Sequence, residues 1–171
     1  KAGVPKDVRY RTRHELALEM LERHGPVLPH RWVAGDDEMG RPSGFRQELR
    51  ALGQRYLLAV PSNTTVRDLD APPPAYSGRG PRRKSPFLRV DKWCAALPED
   101  AWTRIEVRDG EKGPLLIEAL KRRVQARTER RRTGPEELLF VTRERQADDS
   151  FKFDYHLSNA DPHVPLEELA R

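Results

Sequence analysis

The stretch from Arg31 to Val60 constrains the fold more than any other part of the sequence. Arg31-Trp32-Val33-Ala34 is a short apolar run with strand character, ended by Gly35-Asp36-Asp37-Glu38. Pro42 and Ser43 open a helix whose Phe45, Leu49 and Leu52 recur at i, i+4 and i+7, and Gly53 stops it. Tyr56-Leu57-Leu58-Ala59-Val60 is a continuous apolar run, the type of strand buried on both faces of a parallel sheet. Strand, crossover helix and strand make a βαβ unit, which must be parallel and right-handed. Upstream, Thr12 and Glu15 form a capping box for a helix carrying Leu16, Ala17, Leu18, Met20 and Leu21, closed by Gly25 and Pro26. Residues 11 to 60 therefore predict α, β, α, β and an α/β fold class.

The texture changes at Pro61. From there to about Pro86 the pattern predicts loop, with Pro72-Pro73-Pro74 and then Gly78-Arg79-Gly80-Pro81-Arg82-Arg83-Lys84. Beyond it the pattern is strands and hairpins. Trp102 to Arg108 alternates, Asp109-Gly110 predicts a turn, and Leu115 to Ala126 predicts a long basic strand, although Leu116, Leu120, Arg123 and Val124 also fit a helical period. Glu137 to Arg145 and Phe151 to Leu157 pair across a turn at Gln146 to Ser150, and Leu166 to Arg171 opens a helix. The expected organisation is a core over 1–60, a Pro-rich loop and β-rich insertion over 61–160, and a helix start over 161–171.

Charge and cysteine content narrow the function classes. Lys and Arg number 32 against 27 Asp and Glu, a net of +5 that suits a nucleic-acid partner and equally suits an ordinary solvated surface. Cys94 is the one cysteine, which excludes an internal disulfide and disfavours a cysteine-based zinc site. The five histidines lack metal-ligand spacing, and no glycine cluster completes a phosphate loop. No apolar run reaches membrane-spanning length, so no membrane partner is expected and a reducing, cytoplasmic setting is. Lysine at residue one makes the chain read as a piece of something longer.

Asp36 is the candidate with chemistry. It closes a strand of a parallel βαβ unit, where open α/β sheets place ligands, and a carboxylate there can hold a hard divalent cation. The competing reading is a solvated acidic turn. The basic segment Lys121, Arg122, Arg123, Arg127, Arg130, Arg131 and Arg132 is a candidate track for DNA phosphates, with Arg82, Arg83 and Lys84 in the loop a second one. Glu118, Glu129, Glu136 and Glu137 dilute the first, and a solvated face is its alternative. Trp93 and Trp102 could stack on an unpaired base or simply pack.

Trp32 to Arg41 followed by Phe45 to Arg50 resembles the second-aspartate region of DDE transposases: an apolar strand, Asp, two variable residues, an apolar residue, Gly, then a helix. Asp36, Met39 and Gly40 fall on those positions, with Met where Tyr or Phe is commoner. Arg55 to Asn63 is similar to the next core strand of the family. Lys1 to Lys6 through Glu19-Met20-Leu21, Trp102 to Pro114 and Tyr155 to Ala160 are similar to segments of the insertion-sequence group called seven-oh-one.

The resemblance implies a partial RNase H-like core interrupted by a β-rich insertion. It also implies metal-dependent DNA strand cleavage and strand transfer in transposition, using two Asp and one Glu around two Mg²⁺ or Mn²⁺ ions about 4 Å apart. It places the first Asp on a strand before Lys1 and the Glu on the helix beginning at Leu166, at a position that Glu167 and Glu168 do not match. The expectation is thus a fragment of a transposase catalytic domain that binds no metal pair and is inactive alone. Implied partners are transposon ends and target DNA, with self-association of the transposase. The other function class is a non-catalytic basic module that binds DNA or protein. Without the strand of the first Asp, Trp32 to Ala34 would be an open edge, and Tyr56 to Val60 would keep only a small sheet and be loosely held.

Overall fold

The computed structural model describes residues 3, 9–76, 78–110 and 113–170, with no side-chain detail for 108–110 and 113–115. The Lys1–Lys6 part of the resemblance, apart from Gly3, and the last residue of the helix expected over Leu166 to Arg171 lie outside that range. Five helices and eight strands follow in the order α1 (Arg13–His24), β1 (Val33–Gly35), α2 (Asp37–Gly40), α3 (Ser43–Ala51), β2 (Tyr56–Ala59), β3 (Thr65–Asp68), β4 (Leu88–Arg89), α4 (Val90–Ala95), β5 (Thr103–Gly110), β6 (Gly113–Arg127), β7 (Thr133–Arg145), β8 (Phe151–Ser158) and α5 (Leu166–Ala170). The fold is mixed α/β.

All eight strands belong to one sheet, ordered β1-β2-β8-β7-β6-β3-β4, with β5 beside the first half of β6. Only β1 and β2 run parallel, Val33 opposite Tyr56 and Gly35 opposite Leu58. Every other pairing is antiparallel, so the sheet is antiparallel for most of its width.

The helix at α1 forms as its capping box predicts: the Thr12 hydroxyl accepts from the Glu15 amide while the Glu15 carboxylate accepts from the Thr12 amide at 2.7 Å. Phe45 and Leu49 of α3 bury against Tyr56 and Leu58 of β2, joined by Ala17, Leu18 and Leu21 of α1. On the same face, Val90, Trp93 and Cys94 of α4 pack on Leu120, Val124, Leu139 and Leu157. Leu169 of α5 packs on the opposite face against Ile105, Ala119, Leu138 and Phe140, with Leu57 beside it. β2 is therefore covered on both faces, which is why its sequence is apolar without alternation.

Leu115 to Ala126 is strand as expected, and the helical alternative fails because β6 pairs along its length with β5, β7 and β3. Three features depart from the sequence expectations. The segment between Pro61 and Pro86 contains a strand, β3; Val66 is its one fully buried residue, too thin a pattern to register, and its order comes from pairing with Val124 to Ala126. Asp109 and Gly110 are strand residues paired with Pro114 and Gly113, so the turn expected at Asp109-Gly110 does not fall on them. Tyr56 to Val60 does not stand in a small sheet. β2 lies between β1 and β8, with Leu58 opposite Leu157, and Tyr56 and Leu58 are fully buried.

Candidate functional site

Asp36 follows the last residue of β1 and is the N-cap of α2, its Oδ1 accepting the Met39 amide at 3.1 Å. The residue is exposed. The next two acids are engaged elsewhere: Asp37 lies 3.6 Å from the Arg41 guanidinium and Glu38 is 2.5 Å from that of Arg13. Asp36 is thus the carboxylate of this exposed acidic trio that has no ion pair among the described residues. Among the described residues, no three of His, Cys, Asp and Glu converge as a metal site.

α2 is held close to the sheet. A Cβ on Gly40 would stand 1.9 Å from the Ala59 carbonyl oxygen, so only glycine lets this turn lie across the end of β2. Arg46 of α3 anchors the arrangement from below. Its Nε and Nη2 meet the two Glu137 oxygens at 2.7 and 3.3 Å, and Nη1 donates to the Gly40 and Arg41 carbonyls. The Tyr56 hydroxyl donates to Glu137 at 2.7 Å, and burial, then the Glu137 charge, push the phenol's pKa well upward. Arginine, glutamate and tyrosine together tie α2, α3 and β2 to β7.

The predicted basic residues do not share one surface. Lys121 donates its ammonium to the Val164 carbonyl, and Arg123 is paired with Glu136 at 2.7 Å and Asp70 at 3.6 Å. Arg122 points to the opposite face of β6, as strand alternation requires. Arg130 and Arg132 are exposed on the β6–β7 turn, whereas Arg127 and Arg131 line a cleft with Arg41 and Arg46. Arg82 stacks on Tyr76, and Arg83 and Lys84 are exposed beside it. Trp93 and Trp102 are buried, 8% and 9% exposed, which removes them as base-stacking platforms. Trp93 donates to Asp68, and Trp102 carries the Arg143 guanidinium 4.4 Å from its ring. Arg41 and the polar loop Asn63-Thr64-Thr65, which join Arg127 and Arg131 at the cleft, carry no signal in the sequence beyond the position of Arg41 just after Gly40. Cys94 is buried, its thiol pushed up to about 12 by desolvation, an unreactive packing residue.

Among the described residues no helix is long and apolar enough to cross a membrane. No curated protein matches the chain. Residues 1–114 match a family model described as DDE superfamily endonuclease, a span that runs through α1, Asp36, α2, α3 and the whole parallel strand pair. With about two thirds of its 171 residues inside that match, the chain belongs to the DDE superfamily endonucleases.

Proposed function

We propose that this chain contributes Asp36 as one carboxylate of a site for metal-dependent DNA strand cleavage and strand transfer, the chemistry of an insertion-sequence transposase. The observation that carries the reading is the position of Asp36: an exposed carboxylate at the C-terminal end of a parallel strand pair, within the matched region. Residues 1–60 then correspond to part of an RNase H-like core, and 61–160 to an insertion whose last strand, β8, extends the core sheet beside β2. The outer edge of β1 pairs with no strand among the described residues. An apolar cavity of about 440 Å³ runs along it, lined among others by Met20, Leu28, Val33, Ala34 and Leu58. In this reading that edge is where the strand bearing the first Asp would lie.

The donor set fits a metal only in part. Asp36 can offer the oxygen that the Met39 amide leaves free, which suits Mg²⁺ or Mn²⁺ held mainly by water and substrate phosphates. Such ions supply Lewis-acid activation of the phosphodiester and of the attacking hydroxyl. One carboxylate does not hold a pair of them, and no step of strand transfer is assigned to the described residues alone. The proposed partners are transposon-end and target DNA, with self-association completing the assembly.

Paramagnetic broadening by Mn²⁺ tests the Asp36 assignment. Titrated into ¹⁵N-labelled protein, Mn²⁺ should broaden the amides of Gly35 to Met39 selectively. Asp36→Asn should abolish the effect while leaving the fold intact, since asparagine caps a helix as well as aspartate. Broadening that is absent there, or that survives in Asp36→Asn, overturns the assignment. The lone carboxylate also favours a second reading, a DNA-binding module without cleavage. Supercoiled plasmid with Mg²⁺ or Mn²⁺ should stay unnicked in both readings, and nicking lost in Asp36→Ala would overturn the second reading together with the inactivity expected of this chain alone.

A further inference from the structure

A cleft of the described surface lies not over Asp36 but one short helix away. It has a volume of about 560 Å³ and is walled by three segments far apart in sequence. Arg41 and Arg46 come from the end of α2 and from α3, Pro61 to Thr65 from the loop after β2, and Arg127 to Arg131 from the β6–β7 turn. Asp36 caps the front of α2 and Arg41 caps its end. At 1.5 Å of rise per residue the cleft therefore begins about 7.5 Å from the candidate metal ligand along that turn.

Its charge is one-sided. Four arginines line it against one carboxylate, Glu129. Both Glu129 oxygens are already taken, at 2.6 Å each, by the Ser43 amide and hydroxyl. Burial acts to raise the Glu129 pKa, but the Ser43 hydrogen bonds outweigh it and keep the group anionic beside Arg46. Arg46 is consumed by Glu137 and two carbonyls, which leaves Arg41, Arg127 and Arg131 facing the opening. Arg41 has only the 3.6 Å contact to exposed Asp37. Arg127 is braced without being neutralised: it donates to the Arg131 carbonyl at 3.0 Å and lies over the Phe87 ring at 4.3 Å. A guanidinium fixed in plane by an aromatic ring loses less freedom when it binds.

The turn that presents Arg131 is itself informative. The Arg131 amide donates to Thr128 at 2.8 Å and the Thr128 amide to Arg132 at 2.9 Å, with Arg131 at φ 56°. This left-handed position is one that glycine or asparagine fills without strain. The β7–β8 turn is built the same way and places Asp149 there, at φ 64°. An arginine held in such a conformation at the mouth of a basic cleft is a local cost that a ligand contact would explain.

We propose that this cleft seats the sugar–phosphate backbone of DNA through Arg41, Arg127 and Arg131, with Asn63 and Thr64 as neutral donors beside them. The inference rests on the DNA-cleavage reading above. It differs from the basic strand read in the sequence, because Lys121, Arg122 and Arg123 do not line the cleft and Arg41 does. Planar arginines suit phosphate oxygens bidentately, and contacts of this kind fix register without reading sequence.

Fluorescence anisotropy with a labelled DNA duplex of random sequence, in EDTA, tests the proposal on the whole chain. The triple variant R41Q/R127Q/R131Q should lose affinity by roughly tenfold per arginine. The slope of log affinity against log salt should shrink by about 0.9 for each phosphate contact removed. R82Q/R83Q/K84Q removes the same charge from the loop and should bind as the parent does. Arg131→Gly alone should weaken binding while its thermal midpoint stays at or above the parent's, because glycine relieves the turn. A cleft variant that keeps the parental salt slope overturns the cleft while leaving the Asp36 reading to its own Mn²⁺ test. So does equal loss in the loop variant. A parent chain that does not bind the duplex overturns the cleft and the DNA reading together.

Discussion

Arg46 sits with its side chain 6% exposed against a Glu137 side chain that is 1% exposed, which makes the pair the most deeply buried charges in the described structure. Every partner is placed: two carboxylate oxygens, two carbonyls and a phenol. Such a pair adds little to stability compared with apolar residues of like volume, yet breaking it leaves an uncompensated buried charge. Arg46→Met should therefore destabilise the chain by about 3–5 kcal/mol, and R46M/E137L should recover much of that. Urea denaturation measures both, and a loss below ~1 kcal/mol in the single variant would show that Glu137 finds another partner. At this scale the sequence singled out Asp36 through its neighbours along the chain. It was silent about Arg46 and Glu137, because two charges 91 residues apart look like two surface residues until the sheet order brings them together. The cleft was hidden for the same reason.

Among the elements, the parallel pair β1–β2 was readable because its helix and strands show their periods within thirty residues of continuous sequence. β3 and α4 were not. One is a strand with a single buried residue, and the other is a short helix whose Val90, Trp93 and Cys94 make a face only against β6. The two strands of the pair should behave differently in solution. Val33 donates to the Arg55 carbonyl at 2.8 Å, so by alternation Ala34 turns its amide to the unpaired edge. β2 has partners on both sides, and the Val60 amide donates to Tyr155 at 2.8 Å. Hydrogen exchange should find Leu58 and Val60 as slow as Leu139 and Val141, and Ala34 among the fast amides. Fast exchange at Leu58 would mean that β2 is not held by β8.

Across the whole molecule, the sheet crosses the sequence boundary at residue 60. β2 is paired by β8, the Tyr56 amide donates to the Asn159 side chain, and Ser158 donates to the Tyr56 carbonyl. A chain of residues 1–60 keeps α1, α3 and the β1–β2 pair but loses the strand beside β2, the Arg46 ion pair and two of the three segments that wall the cleft. We expect it to be unfolded by circular dichroism and to show collapsed amide dispersion by NMR. A cooperative thermal transition in that fragment would show that the first part of the chain folds by itself.

The pairing of β2 with β8 also has a meaning in time. Ser158 and the Tyr56 carbonyl it bonds are 102 residues apart. At roughly 5–20 residues per second, a ribosome that has released β2 needs about 5–20 s more to make its partner. Throughout that interval Tyr56 and Leu58 are in the cell with one flank of their strand open. A chaperone that shields extended apolar segments would then be a requirement for the yield of this protein, set by the order of strands in its sheet.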